Sequence, residues 1–410
     1  MCVRILYLTQ WFDPEPAFKG ADFAAALAAR GHDVEVATAF PNYPGGKLYP
    51  GYRIRPYANE RIRGLKVHRL WVYPSHDASS FGRIANYLSF FVSALVFGLL
   101  RAHRYDVIYV YHPPITPGVA AALFGMVRRK PMVIEIQDLW PDSVMASGMA
   151  GGRTDRILTS LCRFVYRRAS HVIPQSDGMR ARLIERGVPE QKLTRIFNWS
   201  TYQAPSAAAP ALPDKTHVLG PAGRFNIIYG GNLGQAQALS SVIHAVAAAR
   251  RIEPAVHLHL FGHGIESGPL VELASSVAPD GVTLHGTVDR VAMDRIFDLA
   301  NALVMHLKDD PLYEITLPSK MQHYLSCGKP VIAGIRGEAA KLLLQSGAAL
   351  VTQPEDVQTM ADAMVQLARM SPIELQAMGQ RGKRFYESHM AFDFAVDETL
   401  GILSRAVLVE

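Results

Sequence analysis

Short apolar runs alternate with longer stretches of helical spacing along most of the chain, and this alternation is the main structural signal. Short apolar runs bounded by polar or glycine residues are typical of buried strands. In the first half, the pattern predicts strands at 4–9, 33–38, 67–72, 106–111, 132–136 and 171–174, with helices such as 21–30 and 156–168 between them. Strands and helices that alternate in this way predict a doubly wound parallel sheet.

The alternation stops over residues 200–224, which are rich in alanine and proline and predict a linker or loop insertion. It then restarts, with strands predicted at 225–229, 256–261, 282–284, 302–306, 330–333 and 349–351. The fold class is therefore α/β, with two Rossmann-like domains at 1–200 and 201–389 that face each other across a cleft. Ligands of such domains bind at the carboxyl ends of the strands.

Residues 84–100 form the most hydrophobic segment of the chain. As a helix they would span about 25 Å, which is shorter than the roughly 30 Å hydrocarbon core of a bilayer. The segment also contains Asn86, Ser89 and Ser93. Three interpretations stay open: a buried helix of the first domain, a helix that dips into a membrane surface or holds a lipid tail, and a membrane span.

The composition is that of a globular protein, with 49% apolar and 19% charged residues among 410. Its three cysteines, Cys2, Cys162 and Cys327, are far apart, which argues against a disulfide framework or a zinc site and favours a reducing cytoplasm. The first residues run directly into a predicted strand, so we expect no signal peptide.

Charge is distributed unequally between the two halves. Residues 1–200 carry 26 basic and 15 acidic side chains, whereas residues 201–410 carry 16 and 21. A basic half indicates an anionic partner. No basic motif interleaved with aromatic residues is present, so we expect no nucleic acid and favour a lipid surface or a diphosphate.

The segment 318–333 carries the clearest chemical signal. Its pattern predicts a helix that begins at Pro318 or Ser319, followed by a Gly-Lys-Pro stop and a buried strand. Lys320 would lie in the first turn, where the helix dipole already places positive charge. An anion bound at this helix N-terminus would resolve the conflict, although a solvated lysine is the simpler alternative.

Candidate anion-binding turns follow the first strand of each predicted domain. After the strand at 225–229, Gly231 and Asn232 could bring the backbone close to a phosphate. After the strand at 4–9, Lys19 and Gly20 precede a helix and form a second candidate anion site. Neither turn has the acidic partner or spacing of a dinucleotide fingerprint, which argues against an NAD enzyme. Other candidate contacts at the edge of the first sheet are Trp11, Asn42, His112 and Asp138.

Several motifs together resemble a known family. The opening Arg-Ile-Leu-Tyr-Leu-Thr-Gln-Trp-Phe-Asp-Pro-Glu-Pro and the segments Asp-Leu-Trp-Pro-Asp-Ser and Tyr-Leu-Ser-Cys-Gly-Lys-Pro-Val-Ile-Ala are similar to retaining GT-B glycosyltransferases of family 4. Within that family they resemble the branch that transfers N-acetylated 6-deoxy sugars such as L-fucosamine in O-antigen or capsule synthesis. The resemblance implies that the last helix, from about residue 390 to 410, crosses back to the first domain.

The chain departs from the family pattern at several positions. Asn232 and Gln237 stand where the family has the arginine and lysine that bind the donor diphosphate. His323 stands in place of one conserved glutamate, and Glu314 lies one residue from the place of the other. We expect Lys320, Ser319 and Lys19 to compensate at the diphosphate, and His323 to reach a ribose hydroxyl.

The resemblance implies metal-independent transfer of a sugar from a nucleoside diphosphate donor, which is UDP-linked in our expectation, with no cofactor. Asp138 and Glu314 would contact the sugar or the acceptor beside the catalytic Lys320, and Gly286, Thr287 and Val288 would hold the base. The acceptor would be a lipid-diphosphate-linked saccharide, and the enzyme would lie on the inner face of the plasma membrane. A sugar-nucleotide epimerase and a non-catalytic sugar-nucleotide-binding protein are the alternatives.

Overall fold

The computed structural model describes residues 2–75, 80–112, 114–140, 153–202, 218–315 and 317–408. The chain divides into two compact units, Met1–Ile196 with Ala395–Glu410, and Phe197–Phe394. The boundary predicted from the sequence is after residue 200, and the predicted return to the first domain is at about residue 390.

The first unit contains one seven-stranded sheet in the order β3-β4-β2-β1-β5-β6-β7. Neighbouring strands are parallel, except that β3 runs antiparallel to β4. The strands are β1 (Arg4–Leu8), β2 (Asp33–Ala39), β3 (Tyr57–Ile62), β4 (Leu65–Leu70), β5 (Val107–His112), β6 (Met132–Ile136) and β7 (His171–Pro174). The helices in the described part of the first unit are α1 (Ala21–Ala29), α2 (Ser80–Arg101), α3 (Thr116–Arg128), α4 (Arg153–Arg168) and α5 (Asp177–Glu185).

The second unit contains a six-stranded sheet in the order β10-β9-β8-β11-β12-β13, and its strand pairs are all parallel. The strands are β8 (Phe225–Gly230), β9 (Val256–Phe261), β10 (Val282–Gly286), β11 (Ala302–His306), β12 (Val331–Gly334) and β13 (Ala349–Thr352). The helices are α6 (Leu239–Arg250), α7 (Ser267–Val277), α8 (Arg290–Leu299), α9 (Ser319–Cys327), α10 (Gly337–Ser346), α11 (Val357–Ala368) and α12 (Pro372–His389). The last helix, α13 (Phe392–Leu408), begins at the end of the second unit, and its residues from Ala395 belong to the first.

The central strands are apolar on both faces because helices cover both sides of each sheet. In the first unit, Leu6, Ile108 and Ile134 pack in one cluster with Phe90 of α2 and Phe124 of α3. In the second unit, Ile227, Leu258 and Val304 pack with side chains of α6 and α11. This two-sided burial explains why continuous apolar runs predicted the strands.

The strand β3 was not predicted from the sequence. Its residues alternate between half-buried and exposed, because it lies at the sheet edge and pairs only with β4. The strand therefore lacks the continuous apolar run that marks the central strands.

The strand order reverses next to β1 in the first sheet and next to β8 in the second. Ligands of open α/β sheets bind beyond the carboxyl ends of the strands at such reversal points. We therefore expect a ligand site in each unit at the loop that follows β1 or β8.

Candidate active site

The turn after β8 packs backbone against backbone with the loop after β9. The Gly231 N–H donates to the Phe261 carbonyl at 2.9 Å, and a Cβ added to Gly262 would lie 1.8 Å from the Gly231 carbonyl oxygen. Only glycine fits position 262 at this separation. Part of the glycine signal in the sequence therefore reflects the packing of these two loops.

Gly231 leaves space for Lys320. A Cβ at Gly231, whose φ is +141°, would lie 2.6 Å from both Cε and Nζ of Lys320. The Lys320 ammonium lies 5.0 Å from the centroid of the Tyr229 ring, and its side chain is half-buried. This burial argues against the alternative prediction, a solvated lysine on the helix cap.

Lys320 has an unbalanced charge in this structure. Among the described residues, no carboxylate lies within ion-pair distance of its ammonium. Burial lowers the pKa of Lys320, because desolvation disfavours the charged form. A bound anion would offset that desolvation, so the side chain has the environment of an anion ligand.

The N-terminus of α9 lies beside the same lysine. The N-cap residue is Pro318, and within the described part of the chain no side chain caps this helix end; Ser319 is exposed. The unpaired N–H groups and the helix dipole favour a negative ligand there. The structure therefore places Lys320 and Ser319 beside the turn at Gly231–Asn232. Their binding of a donor diphosphate stays a prediction.

His323 does not match its predicted role. Its Nδ1 lies 3.3 Å from the Ser200 hydroxyl oxygen, and its Nε2 lies 3.1 Å from a carboxylate oxygen of Asp294. Burial lowers the pKa of His323, and the Asp294 charge opposes this shift. Nδ1 can hydrogen-bond the Ser200 hydroxyl, and Nε2 is buried beside the Asp294 carboxylate without a well-aligned hydrogen bond. Neither ring nitrogen is presented to a ribose hydroxyl, contrary to the prediction.

The remaining candidates in the second unit are on its surface. Gly286 and Thr287 are exposed at the end of β10, Val288 is half-buried, and the Gly286 carbonyl accepts a hydrogen bond from the Gly262 N–H at 2.7 Å. This bond places the end of β10 next to the loop after β9. Glu314 is exposed in the short helix Pro311–Ile315. Their roles stay predictions.

Lys19 contradicts its predicted role as a phosphate ligand. The side chain is fully buried, and its ammonium lies 2.6 Å from the Glu135 carboxylate, which is also buried. The Tyr109 hydroxyl donates to the same carboxylate at 2.5 Å. The ammonium therefore neutralises a buried carboxylate inside the first unit and is not presented to solvent.

The anion site predicted at Gly20 is occupied by a side chain of the protein itself. A carboxylate oxygen of Asp13 accepts a hydrogen bond from the Ala21 N–H at 2.6 Å, at the start of α1. A Cβ added to Gly20 would lie 2.2 Å from that oxygen. Gly20 is required by the approach of Asp13, which already supplies the negative charge that the helix end favours.

Asn42 is a structural residue, contrary to the prediction of a sugar contact. It is 3% exposed, its amide donates to the Phe40 carbonyl at 2.8 Å, and its side-chain oxygen accepts from Asn86 at 3.0 Å. The backbone N–H groups of Asn42 and Tyr43 both donate to Glu15 at 2.7 Å. Glu15 and Asn86 therefore hold the loops after β1 and β2 together.

Two predicted contacts at the edge of the first sheet remain accessible. Trp11 is half-buried and stacks on Tyr43, with ring centroids 4.2 Å apart. Asp138 is exposed, yet desolvation by the surrounding protein raises the pKa of its carboxyl above the usual value. His112 is the last residue of β5, and its side chain lies outside the described part of the structure.

Sequence reasoning missed the buried polar residues Glu135, Glu15 and Asn86. A sequence signal existed for Glu135, which is the one acidic residue in the apolar strand β6. Buried charges in proteins are paired, so an acid at this position indicates a buried cation nearby. For Glu15, in a loop with ordinary loop composition, no such signal was present.

Family models match both units. A model described as a glycosyl transferase 4-like domain matches residues 21–199, and one described as glycosyl transferases group 1 matches residues 224–370. Together with the two Rossmann-like units, these matches make the chain a glycosyltransferase with the GT-B fold.

One similar protein is "Putative colanic acid biosynthesis glycosyl transferase WcaI" of Escherichia coli (strain K12). It is 26% identical over 347 residues, which cover 82% of this chain and 84% of that protein.

The structure is also similar to known glycosyltransferase structures. Anabaena Alr3699/HepE in complex with UDP has a TM-score of 0.64 and 17% identity, with 98% of this chain and 100% of that chain covered. Sucrose-phosphate synthase from Thermosynechococcus elongatus has a TM-score of 0.65 and 18% identity, with 99% of each chain covered. The trehalose 6-phosphate synthase from Burkholderia multivorans has a TM-score of 0.69 and 12% identity, with 100% and 98% covered. Identities this low support the fold alone.

Proposed function

We propose that this glycosyltransferase transfers a sugar from a UDP-linked donor to a lipid-diphosphate-linked saccharide, with retention of configuration, in bacterial surface polysaccharide synthesis. The complex of the Anabaena protein with UDP supports the donor, and the colanic acid biosynthesis for which the Escherichia coli relative is named supports the context. The family resemblance supports retention and an N-acetylated 6-deoxyhexosamine as the sugar. The basic first half supports a place on the inner membrane face.

The observation that carries the proposal is the half-buried Lys320, which has no ion-pair partner among the described residues, next to the uncapped start of α9. A leaving nucleoside diphosphate gains negative charge as the sugar departs. Lys320, the backbone at Ser319 and the turn at Gly231–Asn232 stabilise that charge more in the transition state than in the ground state. Groups fixed in place in this way would stabilise the charge with little reorganisation.

The other predicted residues take supporting roles in the proposal. The backbone at Gly286–Val288 holds the base, Glu314 contacts the transferred sugar, and Asp138 and Trp11 contact the acceptor. Lys19, Asn42 and His323 are left out, because the polar side-chain atoms of each face into its own unit.

Lys320→Met tests the proposal, because methionine preserves an apolar stem against Tyr229 and removes the charge. We expect the turnover number to fall about 100-fold or more, as when one preorganised donor is removed from an oxyanion site. Stabilisation of the protein by UDP in thermal melts should also weaken. Lys341→Ala, at an exposed lysine of the same unit, is the matched control and should leave both measurements unchanged. Near-normal transfer by Lys320→Met would refute the assignment.

Product analysis separates the alternatives. Donor incubated without acceptor should return no epimer, and the anomeric configuration of the glycosidic product, read by NMR, should match that of the donor. Epimer formation would favour the epimerase alternative, and binding of donor without turnover in every acceptor mixture would favour the binding protein. An inverted product would refute retention.

A further inference from the structure

The outward side of α2 is apolar and exposed from Ile84 to Leu100. Residues at every fourth position form one line on this side, and each is at least half-exposed. They are Ile84 at 54%, Leu88 at 54%, Val92 at 54%, Val96 at 51% and Leu100 at 65%. A surface helix of a globular protein normally carries charged and polar residues on its outer side. Contiguous exposed apolar surface of this kind marks an interaction site.

The opposite side of α2 is packed on the first unit. Phe90, Ala94 and Phe97 are buried, and a Cβ added to Gly98 would lie 2.2 Å from the Phe124 ring of α3. The segment Gly82–Arg104 is long and apolar enough to cross a membrane by length and composition. Because one side of the helix is committed to α3, it fits a helix that lies in the plane of a membrane interface better than one that spans it.

Aromatic side chains flank the exposed line. Trp71 is 40% exposed and Tyr73 is 50% exposed, and the Tyr73 N–H donates to the Ser89 hydroxyl of α2 at 2.8 Å. Trp71 also lines a groove with Val92, Val96 and Arg101. Tryptophan and tyrosine are enriched where a protein meets the boundary between lipid and water.

The residues around α2 carry a net positive charge, which favours an anionic partner. Between residues 78 and 134 the sequence has six basic residues and one acidic residue. The acidic residue, Asp106, is paired with Arg4. Arg104, Arg128 and Arg129 are exposed. Basic side chains beside an apolar helix face complement the negative head groups of a cytoplasmic leaflet.

We propose that the exposed line of α2 docks the enzyme on an anionic lipid bilayer, with Trp71 and Tyr73 at the head-group level. The role rests on the proposed function to the extent that the acceptor is carried by the same membrane. Asn86 of α2 is hydrogen-bonded to Gln10 at 2.6 Å and to Asn42 at 3.0 Å, in the loops after β1 and β2. Docking therefore places the carboxyl edge of the first sheet where the head group of a lipid-linked acceptor leaves the bilayer.

Vesicle co-sedimentation tests the docking surface. Full-length protein should bind vesicles that contain phosphatidylglycerol and bind pure phosphatidylcholine vesicles weakly. The double variant Leu88→Asp/Val96→Asp places two charges in the apolar line and should lower partitioning onto the anionic vesicles by about ten-fold or more, since charge is costly in lipid. Ile373→Asp, at a residue of the second unit that is 79% exposed, is the matched control and should bind as the parent does.

Further measurements separate this inference from the proposed function. Both variants should retain their circular dichroism melts, their stabilisation by UDP, and their transfer to a short, water-soluble acceptor. If the parent protein does not transfer sugar to the soluble acceptor, the proposed function is contradicted, whereas the proposed docking on vesicles is not affected. Unchanged vesicle binding by the double variant would overturn the docking surface. A parent dimer in sedimentation velocity that the double variant abolishes would also overturn it, by assigning the apolar line to a second copy of the chain.

Discussion

A buried histidine cluster predicts that the second unit opens in mild acid. His257 and His259 lie on the same face of β9 and are 3% and 1% exposed. His259 Nδ1 lies 2.9 Å from His285 Nε2, and its Nε2 lies 3.0 Å from the Asn226 side-chain oxygen. His257 Nε2 lies 2.8 Å from the Thr283 hydroxyl oxygen. These contacts favour the neutral form of the histidine rings, because protonation of the rings would place like charges in contact within the sheet.

The sign and size of the effect follow from the pKa values. Burial, assisted by neighbouring positive charges such as Arg224, lowers the pKa of His257 from 6.5 to about 4 and that of His259 from 6.5 to about 3. Between these values and pH 6.5 the unfolded chain binds more protons than the folded one. The two histidines therefore do not reduce the folding stability above pH 6.5, and they reduce it progressively as the pH falls below that value. At about pH 4.5 each of the two histidines costs roughly 2.5 kcal/mol, and together they cost about 5 kcal/mol.

Hydrogen exchange measured by mass spectrometry provides the assay. Peptides that cover β9 and β10 should lose about 5 kcal/mol of opening free energy between pH 7.5 and about pH 4.5, after correction for the intrinsic exchange rate. The variant His257→Asn/His259→Gln keeps hydrogen-bonding groups that do not titrate, so its loss should be much smaller. An equal loss in the variant would refute the reasoning and assign acid sensitivity to carboxylates elsewhere.

Two further predictions concern the groups around the candidate sites. Lys19→Met leaves the Glu135 carboxylate buried without its cation and should lower the free energy of unfolding by about 3–5 kcal/mol, whereas Lys19→Met/Glu135→Leu should regain part of that loss in urea denaturation; a double variant no more stable than the single one would contradict the buried pair. Gly231→Ala forces a Cβ to within 2.6 Å of Lys320 at a φ of +141° and should weaken UDP stabilisation in thermal melts, while Gly268→Ala, where a Cβ meets open space, should not.

The predicted site residues fall into two groups: those that the structure brings together at one site and those that it buries. Lys320, Ser319 and Gly231 were identified from motifs beside strand ends, and the structure brings them together. Lys19 and Asn42 were chosen by the same rule, yet both are buried and bonded. Position after a strand places a residue at the correct edge of the sheet, but it does not tell whether the side chain turns toward solvent or toward the core.

The sequence by itself determined the central strands and the fold class, because hydrophobic periodicity is local and the central strands are buried on both faces. It also placed the candidate chemistry at the carboxyl edges of the two sheets. The tertiary structure alone decided which charges are available. Glu135 reaches Lys19 across 116 residues, Asp13 fills the start of α1, and one side of α2 has no cover among the described residues. The partner of a side chain depends on contacts between distant segments, and no periodicity along the chain records those contacts.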